Sequence, residues 1–329
     1  MRQSKKADAL LRYTAAVCGG TSLIFIFLIL GTTLVYGFPS IVVNGLKFLT
    51  SITWNPALSG SLITVHGFKT LSGAHYGGLV FITGTLVSSA LAIIIGAPTA
   101  IGVAIFLSEF SPKSLSTIIS ILVELTAGIP SIIFGYWGLL VLVPFLLYNI
   151  EPSLSQKLWF LPFFHGQVYS SGLFASGIIL ALMIIPIIAA ISRDAMRQVP
   201  LEQREGAKAL GLTHWEVVKS IVLPNAKMAI AGSILLGLGR ALGETMAVVL
   251  VSGSAINTLP HTAYAPINTI AAFMAQSMDS AFTDPSGMYV SALVELALIL
   301  LLITTATNIL ARLLVREGFI SSSEKVVRV

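Results

Sequence analysis

The sequence predicts an all-α membrane protein with six transmembrane helices. Of its 329 residues, 55% are hydrophobic and only 10% charged, and the mean hydropathy is +0.91. Six apolar stretches are each long enough to cross a bilayer, which takes about 20 residues. They lie near Ala15–Phe38, Gly78–Phe106, Leu115–Tyr148, Ser171–Ile191, Ala226–Val251 and Met288–Leu314. This composition excludes an ordinary soluble domain.

The positions of the cations set the expected topology. Fifteen of the nineteen Lys and Arg fall on one side: Arg2, Lys5, Lys6 and Arg12; Lys113; Arg193, Arg197, Arg204, Lys208, Lys219 and Lys227; and Arg312, Arg316, Lys325 and Arg328. Lys47, Lys69 and Lys157 fall on the other side, and Arg240 lies inside a span. The positive-inside rule then makes both termini and the long polar loop cytoplasmic. The net charge of +5 is a record of membrane topology, so lipid is the expected partner and nucleic acid is not. The expected organisation is a cytoplasmic tail over 1–14, a six-helix domain over 15–314 and a second tail over 315–329. An external loop at 39–77 and a cytoplasmic loop at 193–223 interrupt the domain.

Taken in order, the first run has the basic start and apolar core of a signal peptide. Its core is too long, and Gly37-Phe38-Pro39 is a poor cleavage site, so it reads as a retained anchor. Cys18, the sole cysteine, permits no internal disulfide. The loop Pro39–Gly77 is polar, with Trp54-Asn55-Pro56 at its middle, and has the length of a small ordered cap. Gly96 and Pro98 would bend the second span, a break that neighbouring helices can satisfy. The third span carries Glu124 together with Gly128 and Pro130. A carboxylate and helix breakers in one apolar stretch are costly unless they face the protein interior. Two readings stand: a packing kink with Glu124 near the cytoplasmic interface, or a bend lining a pathway. The loops Asn149–Ser170 and Gly253–Gly287 are external. His66, His75, His165 and His261 fall outside without ligand spacing, and His214 lies on the cytoplasmic loop; no metal site is expected.

The polar stretch after the fourth span organises the chain. Pro200 suits the start of a helix and Gly211 the position just past its end. Thr213 with Glu216 forms a capping box opening a second helix, and Pro224 marks entry into the fifth apolar run. A helix–Gly–helix between two spans is a surface element presented to a partner. Within the fifth span, Gly239 and Gly243 make a Gly-x-x-x-Gly face suited to close helix packing. Arg240 and Glu244, four residues apart, would share a face on one helix. Each charge costs roughly 2.5–3.5 kcal/mol at the centre of an isolated membrane helix. One reading is a mutually neutralising structural pair. The other is that Arg240 offers its forked donors to a passing anion, with Glu244 holding it when the path is empty. No phosphate-cradling Gly-x-x-x-x-Gly-Lys-Ser/Thr loop, nucleophile elbow or metal-ligand cluster occurs, so neither an enzyme nor a cofactor is expected.

The polar stretch resembles the signature loop of ABC importer permeases: Glu-Ala-Ala, three residues, Gly, nine residues, Ile-x-Leu-Pro. Here Glu205-Gly206-Ala207 precedes Gly211, and Ile221-Val222-Leu223-Pro224 follows at the required spacing. Gly206 for Ala is the one departure. Further stretches resemble the PstC-type permeases of phosphate-specific ABC importers: Gly237-Leu238-Gly239-Arg240-Ala241-Leu242-Gly243-Glu244-Thr245-Met246-Ala247-Val248, Val123-Glu124-Leu125 with Ile129-Pro130-Ser131, Tyr136-Trp137-Gly138-Leu139, and Ile105-Phe106-Leu107-Ser108-Glu109. The likeness runs from about Trp54 to Arg312 and lapses over Phe68–His75.

The resemblance implies a type I, MetI-like importer permease in a bacterial or archaeal plasma membrane. It further implies a PstA-type permease partner, a dimer of a PstB-type ATPase and an external PstS-type phosphate-binding protein. Glu205, Gly206, Ala207, Gly211, Ile221, Leu223 and Pro224 would couple to the ATPase, and Arg240, Glu244 and Glu124 would lie on the substrate pathway. The alternatives are an importer of another oxyanion, molybdate or sulfate, and an ion-driven secondary transporter.

Overall fold

A computed structural model describes residues 2–164 and 171–327, with side chains for 11–164, 171–310, 312 and 313. His165 and Arg328 lie outside the described residues, as do the side chains of Arg2, Lys5, Lys6, Arg316 and Lys325. Among the described residues, six helices are long and apolar enough to cross a membrane: Leu11–Asn44, Leu79–Phe110, Ser131–Lys157, Leu173–Arg197, His214–Gly243 and Met288–Leu310. The chain is a multi-pass membrane protein.

In chain order, α1 covers Arg2–Asn44, and a hairpin of β1 (Leu62–Val65) and β2 (Phe68–Leu71) follows. Helix α2 spans Leu79–Ile105 and ends in a wide turn over Phe106–Phe110. Next come α3 (Lys113–Ala127), α4 (Ser131–Lys157), α5 (Leu173–Arg197) and α6 (Leu201–Ala209). Then α7 runs over His214–Gly243, α8 over Met246–Val251, α9 over Ile270–Phe282 and α10 over Met288–Val327.

The parallel pair α2 and α5, with Leu91 against Gly177, Gly96 against Ile184 and Ala104 against Met196, forms the centre. Small residues on α2, among them Gly84, Ser88, Ala92, Gly96, Ala100 and Ala104, are buried and let α5 approach closely. Leu180, Ile184 and Ile188 of α5 fill that seam; a Cβ on Gly96 would lie 3.0 Å from Ile184. Helix α1 packs along α10, and its most apolar window buries none of its residues within the chain. Apolar on all faces and unburied within the chain, it is a peripheral helix.

Three expectations need correction. The third apolar stretch is two helices, because Pro130 disfavours helical backbone at Ile129; α3 ends at Ala127 and α4 starts afresh at Ser131. The fifth stretch is also two, since α7 stops at Gly243 and Glu244 adopts extended backbone. The first helix continues through Pro39 to Asn44, so the loop expected from Pro39 begins later.

That loop is an ordered cap. Trp54, 4% exposed, packs edge-on against Phe48, Tyr76, Phe81 and Phe273. Asn257 fixes it from the loop between α8 and α9 by accepting the Trp54 backbone N–H at 2.7 Å. Burial, with Asp284 and Tyr289 nearby, pushes the Tyr76 phenol up, so it stays neutral. The same loop turns back into the bundle, where the Asn268 carbonyl occupies the space a Cβ on Gly84 would need. Replacing Gly84 with Ala should therefore destabilise the chain by about 1–3 kcal/mol while leaving membrane insertion intact. An unchanged Tm in detergent would contradict the close approach of loop and helix.

Candidate functional site: the docking segment and the broken fifth span

The segment between α5 and α7 is built as its residues dictate. Pro200 sits at the cap position of α6, where its missing N–H is harmless. Gly211 ends the helix with φ +86°, a left-handed conformation that favours glycine. Its N–H donates to Lys208 O at 2.9 Å and that of Leu212 to Ala207 O at 3.3 Å, the paired bonds of a Schellman close. Thr213 and Glu216 form the expected capping box. The second helix then continues without a stop: a π turn over Val218–Val222 takes up the donor missing at Pro224 and joins docking helix to span.

This segment shows its apolar residues to solvent. Leu201 is 62% exposed, Leu210 82% and Trp215 53%, whereas Ala207, Val217 and Val222 are buried. Glu205, Gly206 and Gly211 are exposed, Ile221 and Leu223 half-buried, and Pro224 exposed. An apolar surface of this kind on a charged helix–turn–helix has the character of an interaction face.

Its anchor was not singled out from the sequence. Glu109, at the end of the turn after α2, keeps only 2% of its side chain exposed and pairs with Arg204 of α6. Arg204 also donates to the carbonyls of Met196 and Val199, closing the end of α5. Arg197 bonds Leu107 O and Ser116 Oγ, and His214 contacts Glu109 O at 3.0 Å with its ring edge-on to Phe110. The available signal was Glu109 itself, a carboxylate at the end of an apolar run.

Glu124 lies 3.0 Å from Arg193, which also holds Asp194 at 2.8 Å. The pair ties α3 to α5, and Glu124 keeps 55% of its side chain exposed.

The Arg240–Glu244 arrangement differs from expectation. With α7 ending at Gly243, the two do not share a helical face, and no ion pair joins them among the described residues. Glu244 instead turns to the start of α8, where Ala247 N–H approaches its Oε1 at 3.5 Å. Arg240 is half-buried, and its Nε is buried with no hydrogen-bond partner among the described residues. A Cβ on Gly239 or Gly243 would meet nothing within 4 Å in this chain. The packing glycine of α7 is Gly237, set against Ile188.

Residues 96–317 match the family of binding-protein-dependent transport system inner membrane components. The chain belongs to that family. Over 283 residues it is 42% identical to phosphate transport system permease protein PstC 1 of Mycobacterium tuberculosis, covering 84% of each chain. It is 43% identical over 300 residues to PstC of Pasteurella multocida, covering 89% of this chain and 88% of the relative. In fold it is similar to the MetNI methionine ABC transporter in an inward-facing conformation, with TM-score 0.50 at 16% identity, over 72% of this chain and 95% of that one.

The anchor makes a measurable prediction. Arg204→Ala strands the Glu109 carboxylate in a buried site and should cost about 3–5 kcal/mol, whereas Glu109→Gln with Arg204→Gln removes both charges and should cost much less. Thermal unfolding of the single and double variants checks this, and equal losses would deny the pair its anchoring role.

Proposed function

We propose that this chain is the transmembrane permease subunit of an ATP-driven phosphate importer. The reading rests on one observation above others: a relative-wide identity to phosphate permeases that extends over the docking segment and the broken fifth span alike. ATP hydrolysis belongs to a separate ATPase, whose cleft receives the face of Leu201, Leu210 and Trp215. A second permease of similar fold, a PstA-type subunit, supplies the other docking segment of a pseudo-symmetric pair. Two PstB-type ATPases and an external PstS-type binding protein complete the assembly. On this reading the docking segment and both termini face the cytoplasm of a bacterial or archaeal cell.

Arg240 is the residue for the anion. Its Nε is buried without a partner among the described residues, a donor that a phosphate oxygen would satisfy, and its fork matches phosphate geometry. The break in the helix supports this placement, because discontinuous helices at membrane depth expose backbone groups to a substrate. Glu244, beside Arg240 in sequence but directed to the start of α8, keeps the site from holding the anion too tightly. Glu124 would line the approach from α3, with Arg193 balancing its charge.

Two outcomes test the proposal. Gly211→Val forces a β-branched residue into φ +86° and should uncouple ATP hydrolysis from uptake with the spans still inserted; full binding-protein-stimulated ATPase activity and transport in that variant would refute docking through this hinge. Arg240→Gln with Glu244→Gln should assemble normally and lose phosphate uptake. Native-rate import of labelled phosphate by the double variant would remove Arg240 from the pathway, and competition of that uptake by molybdate or sulfate would redirect the substrate to another oxyanion.

A further inference from the structure

A cleft of about 730 Å³ opens where the end of α2, the start of α3, the end of α5 and the start of α6 meet. Its charged lining is Lys113, Arg197 and Arg204, its hydroxyls include Ser108, Ser111 and Thr117, and no carboxylate lines it. Arg204 is matched by Glu109. Lys113 and Arg197 have no ion pair among the described residues. Of the Arg197 fork only Nη2 is engaged there, on Leu107 O and Ser116 Oγ, so the remaining donors are uncommitted. Helix α3 also begins at this mouth: its cap is Pro112, with no side chain closing it. Its first-turn N–H groups therefore lack intrahelical partners and add the positive end of a helix dipole to two cations.

A concave surface with surplus positive charge, hydroxyl donors and an open helix start is complementary to an oxyanion. The fold does not require it to be so, since Lys113 is exposed and holds nothing in place. The geometry points to a phosphate-group binding site in this cleft, seated between Lys113 and Arg197 against the start of α3. It shares no residue with the pathway around Arg240 and does not depend on which substrate the protein carries. The cleft is larger than an inorganic phosphate, so a phosphate borne on a larger molecule also fits. Two sources offer that chemistry. Exposed Phe106, Phe110 and Leu115 beside the cleft put it at the level of lipid headgroups, where basic pockets hold anionic phospholipids; inorganic phosphate in solution is the other. Arg204 lines the cleft and also anchors α6, so an anion bound there touches the docking segment directly.

The test uses the full chain in nanodiscs. In discs of phosphatidylcholine alone, equilibrium binding of radiolabelled inorganic phosphate is measured. In discs containing phosphatidylglycerol, native mass spectrometry counts the anionic lipid retained. Lys113→Glu should lower the occupied signal about tenfold or more, the loss of one charge-assisted contact, and Lys113→Arg should keep it. Labelled phosphate bound in the first discs identifies a free-anion site; phosphatidylglycerol retained without phosphate binding identifies a headgroup site. Binding in neither arm overturns the proposal. So does binding indifferent to Lys113→Glu, including phosphate binding that only Arg240→Gln abolishes. Because Lys113 is exposed, its substitution leaves the fold intact and a negative result is informative.

Discussion

The geometry of the hairpin formed by α6 and the start of α7 depends on a single guanidinium. Arg204 reaches from α6 to the buried carboxylate of Glu109 and to two carbonyls at the end of α5. Helix ends leave carbonyls without intrahelical partners, and here one side chain satisfies some of them while neutralising a desolvated charge. A buried ion pair adds little net stability over a well-packed apolar alternative. Its contribution is to make every other position of α6 expensive, because moving the helix strands the carboxylate of Glu109. The short docking helix, too small to hold itself, thereby gains one defined seat against the spans. Asn225 of α7 bonding Gln203 of α6 at 3.1 Å fixes the other side of the same seat.

Much of this was legible in the sequence, and the physical reasons are specific. Bilayer thickness imposes a length on any spanning helix, so six stretches could be counted. Turn chemistry at Gly211 and the Thr213–Glu216 box is local, and the structure has both. Break points were harder. The apolar run across Gly243–Glu244–Thr245 continues on both sides, and hydropathy does not register a change of backbone direction that conserves apolar composition. Glycines reveal small size but not what lies opposite: Gly237 meets Ile188 while Gly239 and Gly243 meet nothing in this chain. Long-range pairings such as Glu109 with Arg204 and Glu124 with Arg193 join residues far apart in sequence, and no local pattern encodes them.

The break after α7 and the unbroken course of α7 itself divide the labour between two kinds of backbone. The turn at Glu244 leaves peptide groups free of helical bonding at membrane depth, which is tolerable only where protein or a water-filled path surrounds them. The π turn at Val218–Val222 does the opposite, absorbing Pro224 without interrupting the helix.

Continuity of that kind turns α7 into a rod. Trp215, on the docking face, and Arg240, just before the break, lie on one unbroken helix, about 37 Å apart at roughly 1.5 Å per residue. A rod of that length converts rotation into translation: a tilt of about 5° about one end sweeps the other through roughly 3 Å. Force applied by a partner at Trp215 thus needs no relay of side chains to be felt at Arg240. The proline in the middle, which in another setting would have made a hinge, is splinted by the wide turn, and the lever stays stiff.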